Sequence, residues 1–375
     1  MSERTDSGGE SSGAGRKLGY GASTMRDAVD VVVIGAGPVG TLIANDLIVR
    51  YNVESAARVL RVLWVIRNAA NRDGFMRYGL MMERGDEIPP SQATAKAPPA
   101  RILTNELGLI DSIEDVATLV PNPDAVIVCV KAYSLDEVLA NVRRLFPDSP
   151  TLIIANGIHS INDVFGGVFF GGARLAEEGR LILTKQLDLV WGNIPDPMSD
   201  LVERNAIADG LIESQALIFH VLFGGDGVVT YRYERDIRRT MLAKAIVNSV
   251  INPLTAIIDA PNEIILDECL QPLVRGLVSE ACDAIDAAGV DDEDSSKRQP
   301  RMFNVDAEYA NVLQVARDTG SNISSMLQDV RAGRPTETPW LNGRIVELGR
   351  MFGAETPLHE WIKGMIGTLG GREQV

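Results

Sequence analysis

Val29-Asp30-Val31-Val32-Val33-Ile34 is a β-branched apolar run, broken once by a carboxylate and stopping at Gly35. Such a run predicts a strand buried on both faces. The period then changes, and Val39 to Ile48 carries a helical apolar pattern. Further strands are predicted at Arg58–Ile66, Ala125–Val130 and Thr151–Ala155, with a helix at Asp136–Phe146 between two of them. Strands that alternate with helices imply a parallel α/β sheet. The Pro-rich segment Ile88–Pro99 interrupts the alternation and predicts a surface excursion. From Asp236 the texture changes to long helical patterns at Ile237–Ile251, Leu266–Ala288, Ala307–Asp318 and Trp340–Phe352. Three units follow: a flexible tail over residues 1–28, an α/β domain over 29–235, and an all-helical domain over 236–375.

Composition narrows the function classes. Hydrophobic residues make up 45% and charged residues 23%, ordinary globular usage that excludes a disordered or fibrous chain. The net charge of −15 repels phosphate backbones and argues against general nucleic-acid binding. Basic residues divide into 29 Arg and only 7 Lys, so a Lys in a chemically exposed place stands out. Cys129, Cys269 and Cys282 are odd in number and far apart, which fits a reducing, cytoplasmic compartment and no disulfide framework. His159, His220 and His359 are as scattered, and no metal site is assigned. The block Asp291-Asp292-Glu293-Asp294 lacks EF-hand spacing and reads as a solvated loop. No run of about 18 apolar residues is uninterrupted, so no membrane span is expected. The tail has neither the apolar core of a secretory signal nor the acid-poor character of a transit peptide.

Gly35-Ala36-Gly37-Pro38-Val39-Gly40 is G-x-G-x-x-G directly after a predicted strand and at the start of a predicted helix. In that context Gly35 makes the tight turn, Gly37 admits a pyrophosphate to the backbone, and Gly40 allows close helix packing. Amides at the helix N-terminus then hold the phosphates. The second strand ends in Arg67-Asn68 where an acidic residue would select NAD. A guanidinium binds a 2′-phosphate bidentately, so NADPH is expected, with Arg72 as a competitor for that contact. Lys131 and Asn156-Gly157 terminate two other predicted strands and should face the cofactor crevice.

Lys244, Asn248 and Asn252 recur at i, i+4 and i+8 on a helix otherwise apolar almost all round. Such a stripe drifts only about 40° per step. Buried polar groups need partners, so one ammonium and two carboxamides in line predict a ligand cleft. Pro253 cannot donate to the carbonyl of Ser249, and the helix is expected to kink or end there.

The stretch Asn248-Ser249-Val250-Ile251-Asn252-Pro253-Leu254-Thr255-Ala256, preceded by Lys244, resembles the ketopantoate reductase family. So does Asn322-Ile323-Ser324-Ser325-Met326-Leu327-Gln328-Asp329-Val330-Arg331-Ala332, with Thr336-Glu337 and Asn342-Gly343 after it. With the glycine motif, Lys131 and Asn156-Gly157, the likeness covers roughly residues 29–365. The resemblance implies a Rossmann domain, a helical domain, and NADPH-dependent reduction of a 2-oxo acid between them, the first reading being ketopantoate to pantoate on the pantothenate and coenzyme A pathway. It implies Lys244 as general acid with Glu337 beside it. It places Asn248, Asn252, Asn262, Ser325 and Asn156 on the substrate, and Lys131, Asn156 and Glu337 around the nicotinamide and ribose. Asn322 is implied in domain closure, and a homodimer is compatible with all of this. Leu242, Ala155, His159 and Thr338-Pro339 depart from the family pattern and leave the 2-oxo acid open. The alternatives are another branched 2-oxo acid, such as 2-oxoisovalerate giving a D-2-hydroxy acid, and a non-catalytic NADPH-binding regulator.

Overall fold

The computed structural model describes residues 28–51, 59–67, 72–73, 75, 81–84, 108–159, 161, 164–175, 180–183, 187–194, 206–224, 227–288 and 301–369. The tail up to residue 27, the Pro-rich segment and the acidic block 291–294 lie outside them. Ala28, counted with the tail above, opens the first strand.

β1 (Ala28–Ile34), β2 (Val59–Val65), β4 (Gly108–Ile110), β5 (Ala125–Val128), β6 (Thr151–Ile153), β7 (Phe165–Phe170), β10 (Leu187–Asn193) and β11 (Val229–Asp236) form one sheet in the order β11-β10-β7-β6-β5-β1-β2-β4. Every pairing in it is parallel except β10 on β7. β3 (Met81–Arg84), β8 (Ala173–Leu175) and β9 (Arg180–Leu183) make a separate small sheet. The order reverses at β1, which lies between β2 and β5, and that reversal is where an open α/β sheet opens its ligand crevice. Helices α1 (Pro38–Tyr51), α2 (Ile113–Leu119), α3 (Leu135–Leu145) and α4 (Ala206–Leu222) accompany the strands. Both faces of the sheet carry apolar side chains, Val31, Val33 and Ile127 in one core and Val32, Ile34 and Val128 in another. The continuous β-branched runs arise from that double burial.

α1 is tied to the far edge of the sheet by a buried ion pair. Asp46 accepts from Arg50 Nε at 2.6 Å, from the amides of Val228 and Val229 at 2.5 and 3.0 Å, and from the Tyr231 hydroxyl at 2.8 Å. Arg50 in turn donates to the carbonyls of Phe223, Gly224 and Val229. A buried pair is tolerable only when its remaining donors and acceptors are occupied in this way.

After β11 the described elements are helical: α5 (Arg238–Ile258), α6 (Gln271–Ala288), α7 (Val305–Asp318), α8 (Ser325–Arg331), α9 (Asn342–Phe352) and α10 (Pro357–Leu369). α5 is long and apolar enough to cross a bilayer on length and composition alone, yet it packs against α6, α7, α8 and α10 as the central helix. The helix does not end at Pro253, one of the two expected outcomes there, but runs on to Ile258 before Asp259 caps it in the left-handed conformation at φ 58°. The carbonyl of Ser249 that Pro253 leaves without a donor accepts instead from Asn342 Nδ2 at 2.8 Å. That side chain is fully buried, so the carbonyl that the proline deprives of its donor is not left unsatisfied. The helix expected from Leu266 starts later. Short 3₁₀ turns at Asn262–Leu266 and Glu268–Leu270 precede it, the second capped by Asp267 accepting from Cys269 N.

Candidate active site

The glycine turn lies at the carboxyl end of β1. Gly35 has φ 114°, and a Cβ there would lie 2.2 Å from the Cys129 carbonyl oxygen, so only glycine fits. A Cβ on Gly40 would lie 2.2 Å from the Gly35 carbonyl oxygen, while one on Gly37 would meet nothing within 4 Å. The open space is therefore above Gly37, where Ala36, Pro38 and Val39 lead into the N-terminus of α1. Pro38 at the first helical position sacrifices no intrahelical bond. The buried Trp64 donates from Nε1 to the Gly35 carbonyl at 2.8 Å and fixes the turn from β2. This cradle, the N-terminus of α1 beside the open space at Gly37, fits a dinucleotide pyrophosphate.

Arg67 follows β2 and is exposed, with no ion-pair partner among the described residues. Arg72 is engaged: it pairs with Asp111 and lies 3.9 Å from Asp73. Of the two candidates, Arg72 is the one with a carboxylate partner among the described residues.

Lys131 and Asn156, 25 positions apart in sequence, are brought together by Glu337. The Glu337 carboxylate accepts from Ala132 N at 3.1 Å and from Asn156 Nδ2 at 3.1 Å, and lies 3.7 Å from Lys131 Nζ. Asn156 is further held by His159, whose Nε2 is 2.8 Å from its carbonyl oxygen and whose pKa burial lowers. Gly157, at φ 106°, backs onto Trp340, and Ile158 N donates to the Trp340 carbonyl at 2.9 Å. The strand-end loop thus docks on the segment that carries Glu337.

Lys244 and Asn248 line a narrow crevice with Ala155, Asn156, Gly157, Gly167, Val168, Met241 and Ala245. Lys244 Nζ donates to the Phe169 carbonyl at 2.7 Å and stands 5.9 Å from the Phe170 ring centroid. Loss of solvent around the ammonium pushes its pKa down to about 8, against the opposing pull of Glu337. An ammonium poised there can both stabilise a developing alkoxide and release a proton near neutral pH.

The rest of the expected set is more dispersed. Asn252, the third residue of the stripe, is buried outside the crevice lining. Asn262 is buried with Nδ2 on Thr319 and its Oδ1 without a partner, and its amide donates to the Asn322 carbonyl. Ser325 is exposed at the first position of α8, whereas the neighbouring Ser324 is buried, caps that helix through Leu327 N and accepts from Thr255. Leu242 packs in the helical core and is not part of the crevice. A wider surface depression between α9 and α10, around Gly343, Arg350 and Lys363, contains none of the expected residues. Asp329, unassigned by pattern, proves to be a second carboxylate on Lys131, at 2.8 Å. Its only sequence signal is its place in the Asn322–Ala332 block.

A family model described as ketopantoate reductase PanE/ApbA matches residues 31–196, and one described as its C terminal matches residues 236–369. The 2-dehydropantoate 2-reductase of Pyrococcus abyssi is 28% identical over 70% of this chain and 84% of its own length. Among solved structures, a probable 2-dehydropantoate 2-reductase from Bacillus subtilis covers 90% of this chain and 99% of its own, with TM-score 0.63 and 20% identity. D-mandelate dehydrogenase, solved with NADH and anilino(oxo)acetate, covers 92% and 98% with TM-score 0.64 and 19% identity. At those identities the two structures speak for the fold.

Proposed function

The chain belongs to the ketopantoate reductase family, and on that premise we propose that it reduces 2-dehydropantoate to pantoate with NADPH, Lys244 being the proton donor. The observation that carries the proposal is a desolvated ammonium with a lowered pKa, opening on a crevice that also receives Asn156 and Asn248. When bound, the dinucleotide supplies the hydride that adds to C2 of the 2-oxo acid. The residues around Gly37 and the start of α1 would hold its pyrophosphate, and Arg67 its 2′-phosphate. Lys244 exchanges its hydrogen bond to the Phe169 carbonyl for one to the substrate's carbonyl oxygen. As that oxygen gains charge it takes a proton from Nζ, and the neutral amine recovers one from solvent. The amides of Asn156 and Asn248 donate to substrate oxygens without changing protonation, which leaves the acid role to Lys244. Glu337 orients Asn156 and Ala132 and keeps negative charge near the ammonium, so that Lys244 is not stripped of its proton before substrate arrives.

The test is NADPH oxidation with 2-dehydropantoate and 2-oxoisovalerate side by side. A kcat/KM at least tenfold higher for 2-dehydropantoate is expected, the discrimination one hydroxymethyl group can supply through hydrogen bonds. Equal values, or a preference for 2-oxoisovalerate, would transfer the assignment to that acid. No turnover of either with intact NADPH binding would favour a regulator.

Arg67 yields a separate prediction. Arg67→Asp should raise the KM for NADPH by about tenfold or more while changing that for NADH little, since charge-assisted bonds to the 2′-phosphate are lost. An unchanged NADPH to NADH ratio would move the contact away from Arg67.

A further inference from the structure

Lys131 stands three residues beyond the end of β5 with extended backbone at φ −65° and ψ 149°, and its side chain crosses to the helical domain. There its ammonium meets Asp329 Oδ2 at 2.8 Å. The other oxygen, Oδ1, accepts from Arg334 Nε at 2.9 Å, and the Arg334 amide donates to the Asp329 carbonyl at 2.9 Å. The Asp329 side chain is only 5% exposed, whereas those of Lys131 and Arg334 are 37% and 55% exposed. A carboxylate that deeply buried is tolerated where cations pair with both of its oxygens, as Lys131 and Arg334 do here. With Glu337, the cluster contains two anions and two cations and is electrically balanced.

That balance alters what Lys131 can do. Burial alone would lower its pKa, but Glu337 and Asp329 outweigh burial and leave it raised, so the group stays an ammonium. Its charge is already compensated, which makes it a poor magnet for a phosphate and a well-aimed donor to neutral oxygens. Where it aims is decided by a residue of the helical domain, 198 positions along the chain.

We propose that Asp329 is a positioning residue for cofactor binding: backed by Arg334, it holds the Lys131 ammonium at the crevice so that Lys131 meets the hydroxyl-bearing part of the dinucleotide only when the two domains are in register. This rests on the proposed contact between Lys131 and the cofactor, and the experiment separates the two. NADPH affinity is measured by fluorescence titration, with KM and kcat alongside, for Lys131→Met, Asp329→Asn, Arg334→Ala and the pairings of the last two with Lys131→Met.

Lys131→Met and Asp329→Asn are each expected to weaken NADPH about tenfold with kcat changed less than about threefold, a loss the size of one hydrogen bond to a charged group. Arg334→Ala, at an exposed position, is expected to weaken it about threefold. In the Lys131→Met background neither change should weaken NADPH further, because residues acting through one group are not additive. Asp329→Glu should recover part of the affinity. If Lys131→Met weakens NADPH but Asp329→Asn and Arg334→Ala do not, or if the losses multiply, Asp329 does not act through Lys131 and the proposal fails. If Lys131→Met leaves affinity unchanged, the contact itself is wrong and the positioning role falls with it.

Discussion

Lys244→Met is expected to lower kcat by about 10²–10⁴-fold while NADPH still binds, the range a positioned general acid contributes. Met has nearly the volume of Lys without its charge, so the crevice keeps its shape and loses only the proton and the donor. The fold should not suffer. The pKa of this ammonium falls from 10.5 to about 8 on folding, so between those values the unfolded chain binds more protons and stability rises with pH. Below about pH 8 both states are protonated and the full cost of the buried charge is present. Removing the charge at pH 7 therefore relieves a penalty, offset in part by the lost bond to the Phe169 carbonyl. Thermal unfolding at pH 7 should give a Tm no lower than that of the parent, which separates chemistry from collapse. A kcat within about threefold of the parent would remove Lys244 from the mechanism.

The features legible in the sequence were those made by neighbours along the chain. The glycine turn announces itself because strand, turn and helix are contiguous, and the structure adds only the atoms that exclude a Cβ at Gly35 and Gly40. Lys244 and Asn248 share a face because helical periodicity requires it, and they do line the crevice. Asn252 belongs to the same stripe but is buried away from it, since the angular drift that brings one residue to the opening carries another into the packing. The helix through Pro253 could not be foreseen, because the donor that rescues Ser249 comes from Asn342, 93 positions on. The β7, β10 and β11 edge was equally hidden: its Phe165-Gly166-Gly167-Val168-Phe169-Phe170 strand pairs antiparallel to β10, and no local pattern names that partner. Yet this edge supplies the carbonyl that holds Lys244. Asp329 shows the same limit, for a carboxylate acquires its meaning from the cations that fold onto it. The scarcity of Lys remains the most useful compositional clue, since Lys244 lines the crevice and Lys131 pairs with Glu337 beside it while the chain as a whole is at −15.

The lowered pKa of Lys244 also fixes how the enzyme should respond to pH. Reduction needs the protonated amine, whose fraction falls tenfold for each unit above its pKa, so kcat/KM should decline above about pH 8 and be about a hundredfold lower at pH 10. Asn156 and Asn248 do not titrate and contribute no limb of their own. The negative charge of Glu337 opposes the desolvation of Lys244, so Glu337→Gln should move the fall to lower pH. The measurement that bears most directly on the proposed mechanism is therefore the profile of kcat/KM for 2-dehydropantoate reduction from pH 6 to 10, with Lys244→Met as control. The account predicts a plateau that bends near pH 8 to a slope of −1 in the parent and no such bend in the residual activity of the variant. A parent profile flat to pH 10, or a bend that survives in Lys244→Met, would contradict it.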